Sequence, residues 1–172
     1  MTTATTPGTA ADVQVLRHQA RMCQYVVGLN LEGVTHEDSL IQPSPDGNCL
    51  NWVVGHLTAI YQHALRLLGQ EPVMPEGALA RYDRGSAPIR DAAEARRLEE
   101  LVAAWNETTR RIDAGLAALS PETLDQPAPF SPEGDPNETV RSLLTAIAWH
   151  QAYHAGQTGI LRRIAGKPGA IR

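Results

Sequence analysis

At 172 residues the chain has the length of one domain with room for a core of its own. Aromatic residues make up only 5% of it while Ala and Leu are frequent, a balance that favours helices over a sandwich or barrel. A formal net charge of −4 and a pI near 5.8 argue against a nucleic-acid partner, because no basic stripe is present to displace counterions from a phosphate backbone.

Residues 1–11 are rich in Thr and Ala and lack both a charged start and an apolar stretch. They read as a disordered tail rather than a signal peptide, with residues 12–172 forming a single domain. No run approaches membrane-spanning length, so no membrane partner and a cytoplasmic location are expected.

A first helix is expected from about Asp12 to Asn30, with Val13, Leu16, Ala20, Cys23 and Val27 on one face and Gly33 just past its end. A polar, proline-containing loop from His36 to Gly47 follows. The second helix runs from about Asn48 to Leu68 and stops at Gly69. Its seam reads Cys49, Val53, His56, Ile60, His63, Leu67, beside a second apolar stripe through Leu50, Val54, Leu57, Tyr61, Ala64 and Leu68, so this helix should be central. Residues 70–88 have no sustained period and read as a long crossover loop around Arg81-Tyr82-Asp83-Arg84-Gly85, either folded over a site or a bare spacer. A third helix from about Ala92 to Leu119 points Leu98, Leu101, Trp105, Ile112, Leu116 and Leu119 inward and its Glu and Arg residues outward. After a second proline-rich connection, from Pro127 to Pro136, a fourth helix runs from about Asn137 to Ala165 and closes at Gly166. Four inward seams joined by connections too long for tight hairpins describe an all-α four-helix bundle with long crossover loops.

The last helix carries the main chemical clue. Steps of three and four from Val140 reach Leu143, Ile147, His150, His154, Gln157, Leu161 and Ile164, which puts two imidazoles where a bundle normally places Leu or Ile. Burying an uncompensated polar group costs roughly 1–3 kcal/mol, and a shared metal ion satisfies two neutral imidazoles at once. Residues at i and i+4 sit ~5–6 Å apart on one helix face, close enough to converge on one ion. His56, on the seam of the most apolar helix, is the candidate third ligand, leaving an open coordination position for water or substrate. The competing reading is a pair of core histidines bonded to Tyr or to backbone carbonyls.

The other histidines have plainer readings. His18 and His36 are expected at the surface, and His63, about 10 Å further along the helix than His56, reads as a core or rim histidine rather than a ligand. Tyr61 and Tyr153 read as core packing. Cys23 and Cys49 read as small buried hydrophobes. A reactive thiol is the alternative, but neither has a basic neighbour one helical turn away; a disulfide between them stays open.

Absent motifs narrow the chemistry. Residue 151 is Gln rather than Glu, so the His-Glu-x-x-His pattern of metalloproteases is missing, and no helix carries the Glu-x-x-His of di-iron bundles. The second helix has no acidic residue. Three neutral imidazoles leave an ion's charge uncompensated, which favours an anionic fourth ligand such as hydroxide or a thiolate. Two activities follow: hydrolysis, or transfer of a thiol whose pKa the metal lowers.

Asn51-Trp52-Val53-Val54-Gly55-His56-Leu57 opening the second helix, together with Trp149-His150-Gln151-Ala152-Tyr153-His154-Ala155-Gly156-Gln157 on the fourth, resembles the DinB/YfiT-like superfamily. The resemblance covers nearly the whole chain, through the Leu-Arg-Arg that follows. It implies a four-helix bundle holding one divalent ion, zinc or nickel, through His56, His150 and His154. It also implies kinship with S-transferases that use a low-molecular-weight thiol such as bacillithiol, with DNA-damage-inducible stress proteins, and with homodimers. Isomerase-type relatives carry Glu at the first position of the last-helix pair; His150 there places this chain nearer the bacillithiol-transferase-like branch. The expected function is thus a metal-dependent thiol S-transferase acting on a small molecule. A metal-dependent hydrolase and a non-catalytic, stress-induced metal-binding protein are the alternatives. Arg162 and Arg163 read as partners of the helix C-terminus, with an anionic cofactor as the other reading.

Overall fold

A computed structural model of the chain describes residues 8–44 and 46–171. Most of the expected tail, residues 1–7, lies outside the described residues. Among the described residues there are five α-helices: α1 (Ala10–Leu31), α2 (His36–Ser39), α3 (Leu50–Leu67), α4 (Leu98–Ala118) and α5 (Val140–Ile164). Among the described residues there is no strand, only an isolated antiparallel bridge between Pro127 and Thr139.

The four long helices form the bundle that their seams imply. α1 packs against α4 and α5, and α3 packs against the same two, so α1 faces α3 and α4 faces α5 across the diagonals. Two chain connections therefore cross the end of the bundle rather than join neighbours, which explains their length. α3 is the central helix: every residue from Leu50 to Ala59 is buried. Its Leu50, Val53, Val54, Leu57 and Leu65 are almost wholly inaccessible, each such side chain contributing roughly 1.5–3 kcal/mol of burial.

Local chemistry sets the helix ends. Thr9 and Asp12 form a capping box, which starts α1 at Ala10, so Ala10 and Ala11 are helical rather than part of a tail. Thr139 and Ser142 do the same for α5. Gly69 and Gly166 take positive φ values of 65° and 78° just past α3 and α5, as their positions in the sequence imply.

Three expectations change. The third long helix begins at Leu98, not Ala92. Residues 92–94 form a separate 3-10 turn capped by Asp91, and the chain is extended at Ala95 and Arg97 before α4 starts. The loop expected after α1 contains the short helix α2, whose His36 is buried rather than at the surface: its Nδ1 accepts a hydrogen bond from the Leu98 backbone N–H at 3.2 Å. An imidazole from a remote element thus satisfies one of the orphan donors at the start of α4.

The third change concerns α5. Its buried line runs through Leu143, Ile147, Gln151, Ala155, Thr158 and Arg162, one residue round from the line through His150 and His154. Each polar member of that line has a partner. Gln151 Nε2 donates to the Leu57 carbonyl at 3.0 Å, Thr158 Oγ1 accepts from Asn30 Nδ2 at 2.9 Å, and the Arg162 guanidinium donates to the carbonyls of Asn30, Glu32 and Pro168. Arg162 therefore closes the C-terminus of α1 rather than that of its own helix.

Candidate metal centre

His56 lies two turns into α3, on the side facing α5, and its ring is held by neighbours from two directions. Trp52, one turn earlier, stacks on it with ring centroids 4.6 Å apart and planes 19° from parallel. On the other side, the Tyr82 backbone carbonyl accepts a hydrogen bond from His56 Nδ1 at 2.7 Å. A carbonyl only accepts, so Nδ1 carries the proton and Nε2 is left with its lone pair.

That carbonyl is fixed by the connection between α3 and α4. Tyr82 is fully buried, its hydroxyl donating to Asn51 Oδ1 at 3.0 Å and accepting from the Arg96 backbone N–H at 2.8 Å. Its ring packs against Gly55, where any Cβ would overlap the ring carbons. Ser86, four residues on, accepts from Trp52 Nε1 at 2.9 Å. The connection expected as a crossover loop thus joins the neighbouring helices α3 and α4, and it is folded over the site, the first of the two readings open to its sequence.

α5 supplies the other two imidazoles, placed by its own anchor. The bond from Gln151 to the Leu57 carbonyl fixes the register of α5 on α3 and brings His150 beside His56, with the two Nε2 atoms 3.1 Å apart. One turn on, His154 Nδ1 donates to Gln157 Oε1 at 2.6 Å, which again leaves Nε2 free to coordinate. One ring nitrogen from each of His56, His150 and His154 lies within 4.8 Å of the others, so the structure brings together all three residues singled out from the sequence.

The donor set fits a divalent ion. Burial lowers the pKa of all three imidazoles, and that of His150 falls to about 4 as the positive charges of His154, His56 and Arg84 add to its burial. All three are neutral near pH 7, the state that ligates metal. The His56 Nε2 lone pair faces His150 Nε2 at 3.1 Å, so either a proton on His150 or a cation lies between them, and nitrogens ~2.0–2.1 Å from one tetrahedral ion stand at nearly that spacing.

The three histidines line an open cleft of about 650 Å³. Trp52, Ile60, Phe130, Ile147, Trp149 and Tyr153 line it with apolar surface, and Arg84, Glu133, Asn48 and Gln157 add polar groups. Tyr153 is 56% exposed and stacks on Trp149, so it is a wall of this cleft and not core packing. Tyr61 is in the core, stacked on Trp105. His18 and His63 are exposed, and neither joins the cluster.

Residues 14–158 match the family model of the DinB superfamily. The chain belongs to the DinB superfamily. A crystal structure of a conserved protein from Enterococcus faecalis shares the fold of this DinB-superfamily chain at a TM-score of 0.61 and 16% identity, covering 90% of this chain and 97% of that one. No curated protein matches the sequence.

Other chemistry falls away from the centre. Cys23 and Cys49 are free and buried, and burial raises both thiol pKa values, so both are the small hydrophobes expected of them rather than reactive thiolates. Arg162 is committed to carbonyls at the far end of α5 and does not line the cleft. Among the described residues, no helix is long and apolar enough to cross a membrane.

Proposed function

We propose that this DinB-superfamily protein holds one divalent ion, zinc or nickel, through His56, His150 and His154, and transfers a low-molecular-weight thiol to a small electrophile bound in the cleft. The observation that carries the reading is the convergence of three neutral imidazoles at the edge of an open, largely apolar cavity. A bound ion would supply Lewis acidity, lowering the pKa of a thiol in its open position. The chain's own residues do the rest. Tyr82 and Gln157 hold the ligand tautomers, and Trp52 fixes the His56 ring plane. The aromatic walls exclude water from one side of the bound electrophile.

The neutral ligand set favours an anion in the fourth position, and this supports a thiolate. It equally supports hydrolysis by activated water, which stays as the second reading; a stress-induced protein that only binds metal is the third. A homodimer is also proposed, supported by Val15, Met22 and Tyr25 exposed on α1 and Ile160 on α5, and light scattering tests it.

Metal content by elemental mass spectrometry, for the wild type and His154→Ala, comes first. About one zinc or nickel per chain, lost in the variant, is expected. The loaded protein is then given glutathione, bacillithiol or mycothiol with a panel of electrophiles. Thiol consumption that stops on chelation supports the transferase; turnover of model esters without thiol moves the assignment to the hydrolase; metal bound without either turnover leaves the non-catalytic reading.

A further inference from the structure

We infer that the cleft selects a small molecule with an anionic group on an apolar, aromatic-sized body, and that Arg84 receives the anion beside the three histidines. The inference rests on the reading of the same cleft as a metal-dependent site.

Arg84 stands apart from its neighbours. Arg81 pairs with Glu94, Arg90 with Asp46 and Arg96 with Glu100. Arg84, by contrast, has no ion pair among the described residues and is the cation lining the cleft. Its charge reaches the metal centre, because it contributes to the lowered pKa of His56 and His150. Asp83 also acts on His56 but does not line the cleft.

The rest of the lining is largely apolar. Phe130, Trp149 and Tyr153 are exposed there, Trp149 to 69%, and Trp149 and Tyr153 stack with centroids 5.8 Å apart. Exposed aromatic rings of this kind offer apolar surface to a planar or aliphatic body. Glu133, the one carboxylate lining the cleft among the described residues, lies on the Pro127–Thr139 loop with Phe130 and does not figure among the charges that shift the histidines. Arg84 is thus the cation of a cleft whose apolar surface reaches the histidines, the Tyr153 ring lying 5.1 Å from that of His154. Arg84 receives an anion and repels a cation, and the Trp149–Tyr153 pair takes the hydrophobic part.

Binding of 2-naphthoate, 2-naphthamide and 2-naphthylmethylammonium, measured by calorimetry on metal-free and metal-loaded protein, tests the assignment. Metal-free wild type is expected to bind the acid roughly tenfold more tightly than the amide, and to bind the ammonium least. Arg84→Met should lose the preference, Arg84→Lys should retain part of it, and Glu133→Gln should keep it. Equal binding of acid and amide by the wild type would overturn the inference, as would a preference that survives Arg84→Met or appears only with metal. Metal stoichiometry measured on the same samples separates this outcome from failure of the metal site, since the metal-free comparison does not depend on an ion.

Discussion

The Tyr82 ring occupies the space that a side chain on Gly55 would fill, so the residue next to a candidate metal ligand is glycine because a loop residue packs against it. Gly55→Ala should therefore be destabilising in a helix where Ala otherwise gains ~0.5–1 kcal/mol, because overpacking costs about 1–3 kcal/mol. Displacing Tyr82 also removes the carbonyl that orients His56. A lower melting temperature together with weaker zinc binding is expected; a melting temperature raised by the substitution would show that the loop gives way freely.

Tyr82→Phe separates the two effects. It leaves the backbone carbonyl in place and strips partners from Asn51 Oδ1 and the Arg96 N–H, a loss of about 1–3 kcal/mol. Chemical denaturation should show that loss while metal stoichiometry stays at the wild-type value.

Gln157→Leu removes the acceptor that holds His154 Nδ1. Competition against a chromophoric chelator should show affinity weakened roughly 10–100-fold with one ion still bound at saturation, whereas His154→Ala should lose the ion altogether.

The pH response has a defined sign. Buried imidazoles with lowered pKa values bind fewer protons in the native state than in the unfolded chain, so metal-free protein should lose stability as pH falls from about 6.5 towards the His150 value of about 4. Above that range these groups contribute no slope. Metal retention should extend to more acidic pH than free imidazole ligands permit, and melting temperatures taken with and without metal from pH 4 to 8 would check both statements.

The bundle was legible because its apolar spacing is strong, and the three ligands because histidines interrupt it. What period could not decide was which of two adjacent lines on α5 is buried. Ile147-His150-His154 and Ile147-Gln151-Ala155-Thr158 both advance by threes and fours, and the true core line hides behind Gln151, Thr158 and Arg162, polar residues whose partners lie on other elements. The histidines instead flank that line, half-buried, where a core pattern meets the cleft. His36 was missed for a related reason, since the helix start it caps is 62 residues away in the chain. Tyr82 left only an indirect trace, in the glycine placed before His56.

One consequence of that trace concerns the chain between α3 and α4. Its hold on His56 runs through a single carbonyl, so ordering of this segment and occupancy of the three-histidine site are two readings of one equilibrium. By thermodynamic reciprocity, whatever the folded segment adds to metal affinity, the metal returns as protection of the segment. A stretch of sequence with no helix longer than one turn becomes a reporter of the ion, its amide exchange slowing when the site fills.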